Sequence, residues 1–520
     1  MKMGERVQGC ACLRFILPIA IAVGCWMAAS GVQADVRSDR TEWFRRAGYG
    51  LFVHYLATAE TAMIDQTSIN SDCRKRSWNE CVDAFDVEGF ADSVRRAGAG
   101  YVFFTVCQGS RYLAAPNEEY DKWFGFKPGE ACARRDLIAD LADALRKRNI
   151  PLMLYYTGDG PNCDPECRAK GGFAAPIPMA WVEHWAKVLE CYAVRYGDRV
   201  KGWWIDGCYV NNGGYGYTPE KLRLYERAIR KGNPDALIAF NRAEDSEKPC
   251  VDPYMSFQDF TSGEKYGLCF FPPVGGRIAD GEQWHILTPL GSWWGRPGAK
   301  KATRELADYL YAVTRDGGVV TLDVMCYWDG SIERSQVNTL AGVRSRMAAL
   351  RKSAAAHADN LAYMRPARCL SLRGTELPMQ LECRDSAFAA TDGDSTTSIM
   401  GSMEWQWQIE IDLGVSRTFS RVNVRYKPGC FATDYRLSVS DTFVRGIRPI
   451  ATGIEEPVRG ANDKAWTVAS SGTGESPSAT EIRLDRPVTA RYIRFAALKP
   501  NGPNQRGGQM GISEIEVYEH

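Results

Sequence analysis

The chain has 520 residues, 64 Lys+Arg against 63 Asp+Glu, and 11% aromatic side chains. That length allows two or three domains with sizeable cores. A formal net charge of +1 leaves no excess to neutralise a phosphate backbone, which argues against a nucleic-acid partner.

Residues 1–34 read as a removable export signal. Lys2, Arg6 and Arg14 give a basic start, Phe15 to Met27 an apolar core, and Val32-Gln33-Ala34 the small residues a signal peptidase needs. The apolar run is too short for a lasting membrane span. A lipid-anchored form, acylated on Cys25, is disfavoured because Ala22 sits where Leu is preferred. The expectation is a periplasmic or extracellular protein. Loss of three basic residues and one acidic residue then moves the net charge from +1 to about −1, and loss of Cys10, Cys12 and Cys25 leaves 14 of the 17 cysteines. In an oxidising space Cys73/Cys81 and Cys163/Cys167 are the obvious local disulfide pairs, whereas Cys107, Cys208 and Cys326 lie in apolar runs that suit free thiols.

From residue 35 to about 355, short apolar runs alternate with amphipathic helical stretches. The predicted strands begin with Gly50–Tyr55, Tyr101–Val106, Ile150–Tyr156 and Val200–Asp206. Ala236–Asn241, Ser256–Phe260, Trp284–Leu290 and Gly318–Val324 complete the set. Near-continuous apolar runs fit strands buried on both faces, as in a parallel sheet. Helical periods lie between them, such as Phe90, Val94 and Ala97 after Asp86, and Leu137, Leu141 and Leu145 after Asp136. Eight strands alternating with helices predict an α/β fold, a (β/α)8 TIM-like barrel. An open doubly wound sheet is the alternative, but the Gly-rich first turn it usually brings is missing. After a linker at 356–372, residues 373–520 change texture. Period-two segments such as Trp405–Asp412, Ser420–Tyr426 and Arg491–Phe495, set among Ser, Thr, Gly and Asp clusters, predict an all-β sandwich.

In a barrel, chemistry concentrates at the C-terminal strand ends. That rule singles out His54, Gln108, Tyr155, Tyr156, Asp206, Asn241, Glu264, Trp293 and Trp294. Asp206 follows Gly-Trp-Trp-Ile, so a carboxylate stands at a strand mouth beside aromatic walls. Either it caps the next loop or it has a chemical task. Aromatic side chains there, with Tyr156, Trp204 and Trp294 chosen as contacts, suit the apolar C–H faces of sugar rings. Only one of Trp203 and Trp204 can point inward. Two carboxylates across such a pocket are the equipment for glycoside cleavage. Asp206 is the first, Glu264 the preferred second, with Asp159 and Glu282 as alternatives. The five histidines are too scattered for a metal site, and no Walker loop, CxxC or GxGxxG occurs, so no catalytic cofactor is expected.

Over roughly residues 40–350 these motifs resemble glycoside hydrolase family 29, the retaining α-L-fucosidases. The segments that carry the likeness are Trp43 through Gly-Leu-Phe-Val-His54, Phe90 to Val102, Trp203-Trp-Ile-Asp-Gly207, Gly291-Ser-Trp-Trp-Gly295, Gly317 to Asp323 and Asp329-Gly-Ser-Ile332. The resemblance implies a sugar-binding His54, a nucleophile at Asp206 and an acid/base at Glu264. It also exposes departures. Cys107-Gln-Gly-Ser-Arg-Tyr112 replaces the usual Lys-His-His-Asp-Gly-Phe run, and Asp323 replaces an Asn. Lost hydroxyl partners alter selectivity strongly, so a different sugar or a substituted fucose is expected, with Gln108 or Arg111 making new contacts. The expected activity is exo-hydrolysis of terminal fucose or a related sugar from glycans by double displacement. The alternatives are a catalytically altered glycan-binding protein or a glycosidase for another sugar.

The tail resembles discoidin (factor 5/8 type C) domains and family 32 carbohydrate-binding modules, through Ala390-Thr-Asp-Gly-Asp394, Trp405 to Gly414, Arg491 to Phe495 and Ile512 to Tyr518. Such modules often hold a structural calcium, for which Asp394, Thr397 and Glu514 supply oxygens. A loop closed by hydrogen bonds alone is the alternative.

Overall fold

A computed structural model describes residues 36–57, 76–210, 214–243, 250–268, 270–371, 388–400, 407–441, 447–451, 454–457, 465–474, 476–501 and 511–520. The leader and Cys73 lie outside the described residues.

The first domain is built on a curled parallel sheet. Its strands are β1 (Tyr49–Val53), β2 (Val102–Thr105), β3 (Leu152–Thr157), β4 (Val200–Asp206), β5 (Leu237–Phe240), β6 (His285–Pro289) and β7 (Val319–Val324). They lie in the order β5-β4-β3-β2-β1-β7-β6, every adjacent pair parallel. Helices cover the outside: α1 (36–47), α2 (Trp78–Asp83), α3 (Val87–Ala97), α4 (Glu118–Phe124), α5 (Leu137–Arg146), α6 (Pro165–Gly171), α7 (Met179–Tyr196), α8 (Pro219–Gly232), α9 (Thr303–Arg315) and α10 (Arg334–Ser353). Their starts follow local chemistry. Asp86 and Asp136 accept from the Gly89 and Ala139 amides to cap α3 and α5.

Eight strands were expected, and among the described residues the sheet has seven. The segment predicted as strand six, Ser256–Phe260, is not an extended strand. Residues 259–265 bridge β5 and β6 through isolated contacts instead: Asp259 N to Ile238 O at 2.7 Å, then bridges Phe260–Gln283 and Glu264–Leu287. The reason lies in its polarity. Gln258, Asp259, Thr261 and Ser262 are buried, and side chains meet part of the hydrogen bonding a ladder would supply: Asp259 takes Arg40, Arg230 and the Ile238 amide, and the Thr261 hydroxyl takes the His285 amide.

Strand alternation divides the core in two. Phe52, Phe103, Met153, Tyr155, Trp204 and Leu287 point into the barrel, where Phe44 of α1 closes the bottom against Tyr101 and Phe260. Their neighbours Leu51, Phe104, Leu154, Tyr156, Trp203 and Ile205 face the helices.

The second domain is antiparallel. It comprises β8 (Ala367–Ser371), β9 (Ile399–Met400), β10 (Trp407–Tyr426), β11 (Phe431–Ser440), β12 (Ile447–Ala451), β13 (Ile454–Pro457), β14 (Thr467–Thr473), β15 (Ala479–Asn501) and β16 (Gly511–Tyr518). Bulges between Asp412 and Arg417 and between Phe419 and Arg421 bend the long β10–β15 ladder around a second core of Ile409, Phe419, Val422, Phe495 and Ile515. The two domains meet through Phe271 and Phe388, an Arg365–Asp316 ion pair at 2.6 Å, and Arg304 of α9, which reaches Asp392 and Asp394 at 2.8 and 3.0 Å.

Candidate active site

The barrel mouth opens into a cavity lined by Phe52, His54, Gln108, Tyr155, Trp204, Asp206, Glu264, Leu287, Trp293 and Trp294. Asp206 ends β4, two residues beyond Trp204, so the alternation that buries Trp204 inside the barrel also aims Asp206 there. Three donors fix its carboxylate. Tyr155 donates to Oδ2 at 2.7 Å, and Tyr209 and Asn241 to Oδ1 at 3.1 and 2.8 Å. Burial, with Asp206 alongside, pushes both phenols well above their ordinary pKa, so they stay protonated donors.

Glu264 stands across the cavity. Its Oε2 accepts from Asn241 Nδ2 at 2.6 Å and its Oε1 from Tyr266 at 3.1 Å. One nitrogen of Asn241 therefore serves both carboxylates. Distances of 2.8 and 2.6 Å to that shared atom keep Asp206 Oδ1 and Glu264 Oε2 within their sum, 5.4 Å. Asn241 is itself pinned, with its amide on Ile205 O at 2.7 Å and its carbonyl accepting from Cys208 N at 3.1 Å. Gly263 lets the chain turn into Glu264 at φ +68°, where a Cβ would lie 2.2 Å from the His285 carbonyl.

His54 lines the same cavity. Its Nδ1 lies 2.7 Å from Asp323 Oδ1, and an acceptor-only carboxylate fixes a proton on that nitrogen. Asp323, 1% exposed, also accepts from the Gly295 amide at 2.5 Å, which ties the loop carrying Trp293 and Trp294 to β7.

Two expected sugar contacts lie elsewhere. Tyr156 faces outward, one residue out of phase with Asp206, and its hydroxyl donates to Trp185 O at 3.1 Å in the helix layer. Tyr155 takes the inner position. Arg111 turns to the start of α6, forming a two-point pair with Asp164 at 2.5 and 2.9 Å and a contact with Glu166 at 2.9 Å. Gln108 is thus the member of that pair that borders the cavity. Among the alternative carboxylates, Asp159 sits behind Asp206, bonded to Thr157 and Asn162, and burial pushes its pKa up to about 7. Glu282 precedes β6 and bonds to Gln258. Neither lines the cavity. Tyr155, Tyr209, Asn241 and Tyr266 complete the arrangement. Tyr155 and Asn241 stand at predicted strand ends, and the β3–β4 register gives Tyr155 the phase of Asp206; the loop tyrosines Tyr209 and Tyr266 carry no such signal in the sequence. The proposed Cys163–Cys167 bridge is absent, since Cys167 is a free, buried thiol beside Tyr120.

At the Asp-rich turn of the second domain, Asp394 does not face Glu514. Its oxygens take Thr396 and Arg304. Asp392 lies there instead, accepting from Thr397 at 3.0 Å. Glu514 accepts the Gly393 amide on Oε2, while its buried Oε1 has no hydrogen-bond partner among the described residues. Burial, and then the Asp392 charge, push the Glu514 carboxyl up to about 9. A buried, donor-less carboxylate oxygen beside a second carboxylate and a hydroxyl is a donor set that fits a hard cation.

A parallel barrel with two bridged carboxylates at an aromatic mouth defines the class of barrel glycosidases. Comparison with known proteins narrows the class. The alpha-L-fucosidase family profile matches residues 30–349 and the F5/8 type C domain profile residues 381–514. Among solved structures, a putative alpha-L-fucosidase from Bacteroides thetaiotaomicron is 14% identical, with 92% of this chain and 97% of that one covered at TM-score 0.41. A family 29 fucosidase from Ruminococcus gnavus in complex with fucose is 13% identical, with 92% and 94% covered at TM-score 0.41. A chitosan-binding module from a Paenibacillus chitosanase/glucanase is 24% identical over 31% of this chain and 98% of that one, at TM-score 0.22. None of the curated proteins compared matches the chain. The protein belongs to the alpha-L-fucosidase family and is a glycoside hydrolase carrying an F5/8 type C domain. No helix among its described residues is long and apolar enough to cross a membrane.

Proposed function

We propose that the protein is an exported, retaining exo-glycosidase that removes terminal fucose, or a related or substituted sugar, from glycans. Asp206 attacks the anomeric carbon while Glu264 protonates the departing oxygen; Glu264 then takes a proton from the water that releases the sugar. The observation that carries this reading is the shared Asn241 nitrogen. It keeps these two carboxylate oxygens no more than 5.4 Å apart, no farther than the about 5–5.5 Å of retaining enzymes and short of the roughly 6.5–9.5 Å that an inverting enzyme needs to admit water. Tyr155, Tyr209 and Asn241 orient the nucleophile, and His54 and Gln108 offer polar contacts to the ring hydroxyls. The basic, apolar and small-residue order of residues 1–34 supports export. Asp392, Thr397 and Glu514 would hold a structural calcium, which would neutralise the buried carboxylates of the second domain. The test is a panel of aryl α-L-fucosides, β-galactosides and sulfated analogues. Turnover of an α-fucoside by the wild type and none by Asp206→Ala is expected. Wild-type turnover retained by Asp206→Ala on every glycoside would refute the assignment.

A further inference from the structure

Two tryptophans adjoin in sequence at the mouth, and their surroundings differ. Trp294 packs edge-on against the His54 ring, centroids 5.7 Å apart, on the side where β1 and β7 meet, and meets Tyr266 edge-on at 5.8 Å. Trp293 stacks face to face on Tyr266, centroids 4.7 Å apart and planes 5° from parallel. Tyr266 donates to Glu264 Oε1 at 3.1 Å, so the stacked pair flanks the carboxyl assigned to protonate the leaving oxygen. Of this pair, Trp293 borders the cavity and Tyr266 backs it.

The plane of Trp293 is held in advance. Its carbonyl accepts from Arg296 N at 3.2 Å, the Gly295 amide is fixed on Asp323, and Lys300 N closes the loop on Leu290 O at 2.9 Å. A loop so tied loses little freedom when a ligand ring settles on it.

We propose that Trp293, backed by Tyr266, forms a leaving-group subsite that stacks the first pyranose ring of a saccharide aglycone, so that the natural substrate is an oligosaccharide. The inference rests on the assignment of Glu264 as acid/base. An acid reaches the glycosidic oxygen from the leaving-group side, and the cavity wall that flanks Glu264 through Tyr266 is the indole of Trp293. Sugar rings present C–H faces to such planes. His54 and Trp294 remain for the ring that is cleaved off.

The experiment compares kcat/KM for an α-L-fucosyl disaccharide with that for α-L-fucosyl fluoride, whose leaving group has no ring. In Trp293→Ala the ratio of disaccharide to fluoride is expected to fall about three- to tenfold, the worth of one stacked ring. Trp293→Phe should keep it within about twofold of wild type. Equal losses on both substrates would place Trp293 in the glycone pocket and overturn the subsite, as would an unchanged ratio in the alanine variant. Wild-type protein inert towards both substrates would overturn the fucosidase reading, and the subsite with it, an outcome distinct from either ratio.

Discussion

Tyr155 illustrates how one side chain serves both barrel and chemistry. It lies 5.5 Å from Trp204 in a stacked pair inside the barrel, and its hydroxyl holds Asp206 at 2.7 Å. A hydrogen bond to a charged acceptor contributes about 1.5–3 kcal/mol. Tyr155→Phe keeps the ring, so kcat should fall about 10- to 100-fold with little change in melting temperature; an unchanged kcat would remove Tyr155 from the site. The sequence made Asp206 legible because it closes an apolar strand, whereas Glu264 was reached through a polar segment that is not a strand. It pointed to Tyr156 as the contact, since both tyrosines close the same strand and only pairing with β4 shows that Tyr155 shares the phase of Asp206. Arg111 was out of reach for another reason: a cation near a mouth gives no sign that Asp164 and Glu166 will claim it first. Arg304 of a distant helix reaches both Asp392 and Asp394, and it is the local turn, which residue type does not show, that gives the Asp392 carboxylate to Thr397.

At the scale of elements, the stretch between β5 and β6 decides where Glu264 falls. Hydrophobic periodicity marked Ser256–Phe260 as a strand, but buried polar side chains satisfy its backbone piecemeal, a pattern that residue-type periodicity does not register. Glu282, which leads into β6, is buried with Gln258 as its partner at 2.5 Å. Burial raises its pKa from 4.5 to about 8. The folded state then holds this proton more tightly than the unfolded chain. Its stabilising contribution is full below about pH 4.5 and is lost as pH rises through about 8. Glu282→Gln should therefore flatten the decline of melting temperature over that window relative to wild type; parallel curves would show that the carboxyl is not buried with its proton. By contrast, the helices were legible to within their caps, because Asp86 and Asp136 act locally, without reference to the rest of the fold.

For the molecule as a whole, the change of texture after residue 355 reflects two kinds of core: parallel strands buried on both faces, then antiparallel strands with one face on a second core. Invisible in the sequence was how the two would join. Arg304, in the first turn of α9, ties that helix to the Asp-rich turn of the F5/8 type C domain. If Asp392, Thr397 and Glu514 hold calcium, EDTA should lower the melting temperature and added calcium restore it, with the effect lost in Glu514→Gln. A melting temperature indifferent to both would leave that turn closed by hydrogen bonds and Arg304 alone.

The central claim is that Asp206 and Glu264 act in double displacement, and stereochemistry tests it most directly. Proton NMR of the first sugar released from an α-L-fucoside should show the α anomer, with the β anomer appearing later by mutarotation. First release of the β anomer would contradict the mechanism, whatever the substrate range proves to be.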